Sequence, residues 1–137
     1  MTQIEGSYRS PSFEHALVSD AMRHGVIAIV PDAPLRDVAR VMASNHVHSV
    51  VVTGGGDAPV GVVTERELLA AAGREEETAV SLAKDPITVA ADDSLEQATR
   101  LMLDHGVTHV LVIDVGGRPQ GVLSALDVAG VIAWNQA

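Results

Sequence analysis

No cysteine occurs among the 137 residues. Disulfides, thiolate nucleophiles and cysteine-bound zinc are excluded together by that one absence. Aromatic residues are nearly as scarce, with one Trp, one Tyr and one Phe. A surface that reads single-stranded nucleic acid needs stacking rings, which this chain lacks. Positive charge is also short: 9 Lys and Arg stand against 18 Asp and Glu, for a formal net charge of −9. Nucleic-acid affinity comes mainly from basic side chains on phosphates, so a polyanion is repelled and no nucleic-acid partner is expected. The acidic surplus reads as solubility. A local anion site remains compatible with it, because a helix N-terminus or a single Arg acts at short range. No apolar run approaches the roughly 20 residues of a membrane span. The polar stretch Met1 to Ser12 has no signal-peptide core, so the cytoplasm is the default compartment and no membrane partner is expected. There is no Gly-x-Ser-x-Gly elbow and no Gly-x-x-x-x-Gly-Lys loop. The carboxylates suit solvated faces and caps, as Asp92-Asp93 does ahead of a helix. The chain is therefore not expected to be an enzyme.

Apolar residues make up 47% of the chain and are mostly Val, Ala, Leu and Ile. Such runs predict buried strands covered by Ala/Leu helices. The dominant feature is an internal repeat. Leu35 recurs as Leu95, sixty residues later, and the register then holds without a gap. Arg40 falls on Arg100, Met42 on Met102, Val47 on Val107, Val50 on Val110 and Val52 on Val112. Gly56, Pro59, Gly61 and Val62 fall on Gly116, Pro119, Gly121 and Val122. A long period occurring twice is a duplicated small domain, not a solenoid.

Each copy carries the same series of elements. A short apolar segment opens it, Val26 to Val30 or Ile87 to Ala90. A helix follows, with Leu35, Val38 and Met42 on one face, or Leu95, Ala98, Leu101 and Met102. Ser94 and Gln97 have capping-box spacing, and His105-Gly106 closes the second helix. Two β-runs come next, Val47 to Thr53 with Val60 to Val63, and Val107 to Asp114 with Gln120 to Leu123. Gly-rich turns, Gly54 to Asp57 and Val115 to Arg118, make each pair a hairpin. The last helix starts at Thr64 or Ser124. The order is β-α-β-β-α in each copy, and the crossover gives a small mixed sheet covered by helices. The expected class is α+β (mixed α/β), with two pseudo-symmetric repeats packed sheet to sheet. Copies of 50 to 60 residues bury too little surface alone. One globule sharing one core is therefore expected. The boundaries read as an N-terminal extension over 1–17, repeats over 18–72 and 80–134, and a linker over 73–79.

The duplicated unit, ending in Gly-apolar-apolar-Thr/Ser-x-x-acid, resembles the CBS-domain pair, or Bateman module. Gly61-Val62-Val63-Thr64-Glu65-Arg66-Glu67-Leu68 and Gly121-Val122-Leu123-Ser124-Ala125-Leu126-Asp127-Val128 carry the resemblance, with Met42 to Val52 and Met102 to Val112. It spans roughly Val18 to Ala133. It implies a stand-alone regulatory module that binds AMP, ADP, ATP or S-adenosylmethionine in the cleft between the copies. It also implies a homodimer, and an effector protein acted on in trans because the chain holds no other domain. No resident cofactor is implied.

The site chemistry also follows from the residues. A strand ends, a hydroxyl follows and a helix begins, so first-turn N–H groups and the helix dipole favour an anion. Thr64 or Ser124 adds a hydroxyl, Glu67 or Asp127 accepts from ribose hydroxyls, and Arg66 can pair with a phosphate. The resemblance adds Thr88 near the base and His109 facing the cleft. It favours Asp127 over the longer Glu67, so the site of the second copy is expected to be the better one. Thr64-x-x-Glu67 and Ser124-x-x-Asp127 are equally capping boxes that serve with no ligand at all.

His46, His48, His105 and His109 do not fall on equivalent repeat positions, and no acid stands in partner spacing, so no metal site is expected. The alternative function is an interaction or dimerisation module with vestigial clefts. Phe13 to Met22 could form a helix packing on the other copy or on a second chain. Val131-Ile132-Ala133-Trp134 offers further contact residues.

Overall fold

The computed structural model describes residues 11–54 and 58–134. Most of the first copy's Gly-rich turn and most of the N-terminal extension lie outside them. After a 3-10 turn at Phe13–His15 the elements run α1 (Val18–Ala21), β1 (Arg23–His24), β2 (Ala28–Ile29), α2 (Leu35–Asn45), β3 (Ser49–Thr53), β4 (Pro59–Thr64), α3 (Glu65–Ala71), α4 (Ala79–Leu82), β5 (Thr88–Ala90), α5 (Leu95–His105), β6 (His109–Ile113), β7 (Pro119–Ser124) and α6 (Ala125–Ala133). The fold is the expected mixed α/β duplication. In each copy the first strand runs parallel to the second across the helical crossover, and the second pairs antiparallel with the third. Among the described residues no helix is long and apolar enough to cross a membrane.

The hairpins start later than the apolar runs imply. His46 turns left-handed at φ 53° and Gly106 at φ 64°. The Val47 N–H then donates back to the Met42 carbonyl at 3.1 Å, and the Val107 N–H to Met102 at 3.0 Å. These bonds close the helices and hold each chain out of the sheet until Ser49 and His109. In the second copy the cap is the expected glycine. In the first, a histidine takes a conformation that non-glycine residues seldom adopt.

The expected single core is replaced by two. One cluster gathers Val38, Met42, Val50, Val52 and Val63 from the first repeat. The other gathers Leu95, Ala98, Met102, Val110, Val112 and Leu123 from the second. Each is completed from outside its own repeat. Ala16, Val18 and Met22 fill the second repeat's cluster. Ala79, Leu82 and Ala83 fill the first repeat's. Of the two expected locations for the Phe13 to Met22 segment, the structure shows the other copy. The strands follow the same exchange. β1 pairs with β7, placing Arg23 opposite Val122, and Lys84 bridges Val62 on β4.

This exchange explains the matched pair Gly61 and Gly121. A Cβ on Gly61 would lie 2.9 Å from the Lys84 carbonyl oxygen and 2.9 Å from the Ala83 methyl. A Cβ on Gly121 would run into the Arg23 carbonyl oxygen and lie 2.6 Å from the Met22 methyl. In both repeats the incoming strand passes over a position that has no room for a side chain.

The two hairpins meet on their other faces. Val50, Val52, Val110 and Val112 point into the two cores, while Val51 and Leu111 are buried outside both clusters. Period-2 alternation therefore puts Ser49, Val51, Val62 and Thr64 of one copy on the face that meets His109, Leu111, Val122 and Ser124 of the other.

Candidate functional site

The polar ends of those interface faces open into a cavity of about 440 Å³ between the repeats. Small-molecule sites measure about 300–1,000 Å³, so the volume fits a nucleoside-sized ligand. Ser124, Ala125, Leu126 and Asp127 form one wall, at the start of α6. Arg23, His24, Gly25, Val26 and Ile27 form another, at the exchanged strand β1. Val47, His48, Ser49, Glu65, Thr108, His109 and Val122 complete it. The site therefore belongs to neither copy alone.

Register places its chemistry. His109 lies directly opposite Ser124 across the β6–β7 ladder, so their side chains share one face. The Ser124 hydroxyl caps α6, accepting from the Asp127 N–H at 3.2 Å. Asp127 answers with one carboxylate oxygen, Oδ2, which accepts from the Ser124 N–H at 2.9 Å and the Ser124 hydroxyl at 3.0 Å. Its Oδ1 accepts no hydrogen bond among the described residues. Asp127 thus caps its helix through Oδ2 alone while lining the cavity.

Two imidazoles stand together in the wall, His48 and His109, with ring centroids 5.7 Å apart. His48 Nδ1 lies 2.7 Å from Glu65 Oε2. A carboxylate only accepts, so that nitrogen carries the proton. Burial, reinforced by His48 beside it, holds the His109 imidazole below its usual pKa, while Glu65 and Asp127 pull the other way. His109 is therefore neutral at neutral pH and 3.0 Å from the Thr108 hydroxyl. Among the described residues no group of three His, Asp or Glu has metal-site geometry.

The seven expected site residues separate. His109, Ser124 and Asp127 come together at the large cavity. Thr64 lines a second, smaller cleft with Ser49, Pro86, Ile87 and Val122. Its volume of about 30 Å³ is far below the roughly 300 Å³ at which small-molecule sites begin. Glu67 accepts from the Thr64 N–H at 2.7 Å and from its hydroxyl at 2.6 Å, a closed capping box. Arg66 is exposed, and neither Arg66 nor Glu67 lines either cleft. Thr88 was expected near the base beside Asp127. It lies exposed on β5 opposite Leu111 and lines neither cleft. Ile87, one position earlier, faces the small cleft instead, and neighbouring side chains on an extended chain point opposite ways.

Sequence reasoning missed Glu65, His48 and the β1 wall. His48 and Glu65 carried a readable signal, as polar residues adjoining the repeated strands. The β1 wall carried none, because it opens the first repeat yet pairs with the second.

The chain matches the family model described as CBS domain at two places, residues 18–74 and 79–133. It is similar to the CBS domain protein PAE2072 from Pyrobaculum aerophilum, solved in complex with AMP. The two share 29% identity and a TM-score of 0.76, over 86% of this chain and 98% of that one. The CBS domain pair of protein MJ0100, solved with 5′-methylthioadenosine and S-adenosyl-L-methionine, has the same fold at TM-score 0.79 and 16% identity. That match covers 86% of this chain and 96% of the other. Uncharacterized protein MK0525 of Methanopyrus kandleri is 27% identical over 120 residues, 83% of this chain. The chain spans 61% of that relative's length.

Proposed function

The chain belongs to the CBS-domain family, and from that premise we propose that it is a regulatory sensor holding one adenosine-type ligand per chain in the large inter-repeat cavity. The observation that carries this reading is the unused Oδ1 of Asp127 at the edge of that cavity. A carboxylate there accepts from both ribose hydroxyls, as an acid does in dinucleotide folds. Val26, Ile27, Val47 and Val122 supply an apolar wall for the base. Ser124, Thr108 and the two imidazoles supply polar groups for the 5′ substituent. The AMP held by the Pyrobaculum relative supports the ligand class. The volume of the small cleft supports one site per chain.

Thermal melting of the purified protein against adenosine, AMP, ADP, ATP and S-adenosylmethionine tests the reading. A ligand at about a hundred times its Kd adds about 2.7 kcal/mol and raises Tm by about 5–10 °C. If no adenosyl compound moves the melt of a well-folded protein, the sensor reading fails and the interaction module replaces it.

The output is proposed to pass to a separate effector protein through a homodimer. Leu69, Leu126, Ile132 and Trp134, on or next to α3 and α6, are each more than half exposed. A second copy would cover them about a two-fold axis. Sedimentation velocity is expected to show a dimer that Leu126→Lys shifts toward monomer. A wild-type protein monomeric at high micromolar concentration removes the dimer from the account.

A further inference from the structure

Glu65 has a place in the cavity that a helix-starting acid does not need. It comes from the first repeat, whereas the ligand-facing Ser124 and Asp127 come from the second. Its counterpart by the sixty-residue shift is Ala125, which lines the same cavity. Both helix starts are anchored alike. The Glu65 N–H donates to the His48 carbonyl at 3.1 Å, and the Ala125 N–H to the Thr108 carbonyl at 2.9 Å. Two equivalent backbone positions thus face one space, and only one carries a charge. The carboxylate is then fixed over that space by His48 at 2.7 Å.

The charges around the cavity are few. Arg23 is the one permanent cation among the lining residues, and Glu65 and Asp127 are the two carboxylates. His24, His48 and His109 complete the titratable set. Among Arg23, Glu65 and Asp127 the lining carries one more negative charge than positive. With Asp127 assigned to the cap and the ribose, Glu65 is the remaining carboxylate of the lining. Glu65 and Asp127 line the same cavity and both act on the His109 imidazole there.

We propose that Glu65, held by His48, is a specificity residue that selects adenosyl ligands of low negative charge and rejects polyphosphates. Nucleosides, monophosphates and sulfonium-bearing adenosyl compounds are admitted, because they bring little negative charge against the carboxylate. Each further phosphate sets more like charge beside it, a repulsion that salt screens. The inference rests on the nucleotide reading of the same cavity.

The test is calorimetric titration of the full chain with adenosine, AMP, ADP and ATP, without divalent cations, for wild type, Glu65→Gln and Glu65→Ala. For wild type, affinity is expected to fall along the series from AMP to ATP, and added salt is expected to narrow the difference. Both variants are expected to gain about tenfold for ATP while staying within about twofold of wild type for adenosine. A purely structural Glu65 would change the melting temperature and move all four affinities together. An AMP-to-ATP ratio within twofold of wild type in both variants overturns the proposal and leaves the nucleotide site standing. Failure of every ligand to bind any of the three proteins overturns the nucleotide reading itself, and this inference with it.

Discussion

Gly121→Ala is expected to lower the melting temperature by about 5–15 °C, with a Val at the same place costing more. A Cβ there meets the Arg23 backbone and the Met22 methyl. A flexible side chain tip could yield, but a paired strand yields only by moving. Overpacking of this kind costs about 1–3 kcal/mol. Displacing β1 also endangers the Arg23–Val122 and His24–Gly121 pairs and the Gly25 N–H bond to the Gln120 carbonyl, 2.8 Å. Each net hydrogen bond is worth about 0.5–1.5 kcal/mol. Because Arg23, His24 and Gly25 also wall the cavity, the variant is expected to lose ligand affinity along with stability. Gly130→Ala is the control. It lies inside α6, where an added methyl would meet nothing within 4 Å, so removing glycine there is expected to be neutral or to stabilise by up to about 1 kcal/mol. Paired melts of the two variants decide the matter. Equal melting temperatures would mean that the exchanged strand is not held against β7 in solution.

Asp127→Ala is expected to weaken the adenosyl ligand by about tenfold to a hundredfold or more, whereas Glu67→Ala leaves its affinity within about twofold. Hydrogen bonds to a charged group contribute about 1.5–3 kcal/mol, and each 1.4 kcal/mol is a factor of ten. Both variants lose a capping box, since each acid accepts from its own cap residue's N–H and hydroxyl. Both should therefore lose about 1 kcal/mol of stability. That shared cost separates helix capping from ligand binding. Only Asp127 stands at the large cavity; Glu67 lines neither cleft, and the one beside its partner Thr64, about 30 Å³, is far smaller than the roughly 300 Å³ at which ligand sites begin. Direct titration of both proteins, each checked for folding by its melt, gives the answer. Equal affinity losses would mean that the acids act only through the caps, or that both clefts bind.

The repeat, the alternation of valines and the hydroxyl-acid spacings determined a great deal unaided. Residues local in sequence decide where α5 begins at the Ser94 cap and where it ends at Gly106. Two-residue periodicity decides that Val50 and Val110 face cores while Ser49 and His109 face the cleft. The pairing of His109 with Ser124 comes from the hairpin register, which the structure supplied. Only the tertiary structure decided which copy each opening segment would join. Nothing local marks α1 and β1 as belonging to the second repeat's sheet, because the strand that β1 pairs with, β7, lies in the other repeat, far along the chain. The same exchange turned one expected core into two. It also gave the cavity a wall drawn from the opening residues of the first repeat, while strand alternation turned Thr88 away from the clefts. Glu65 and His48 meet for a similar reason. They lie seventeen positions apart in the chain, and the β3–β4 hairpin and the helix start that follows it bring them to 2.7 Å.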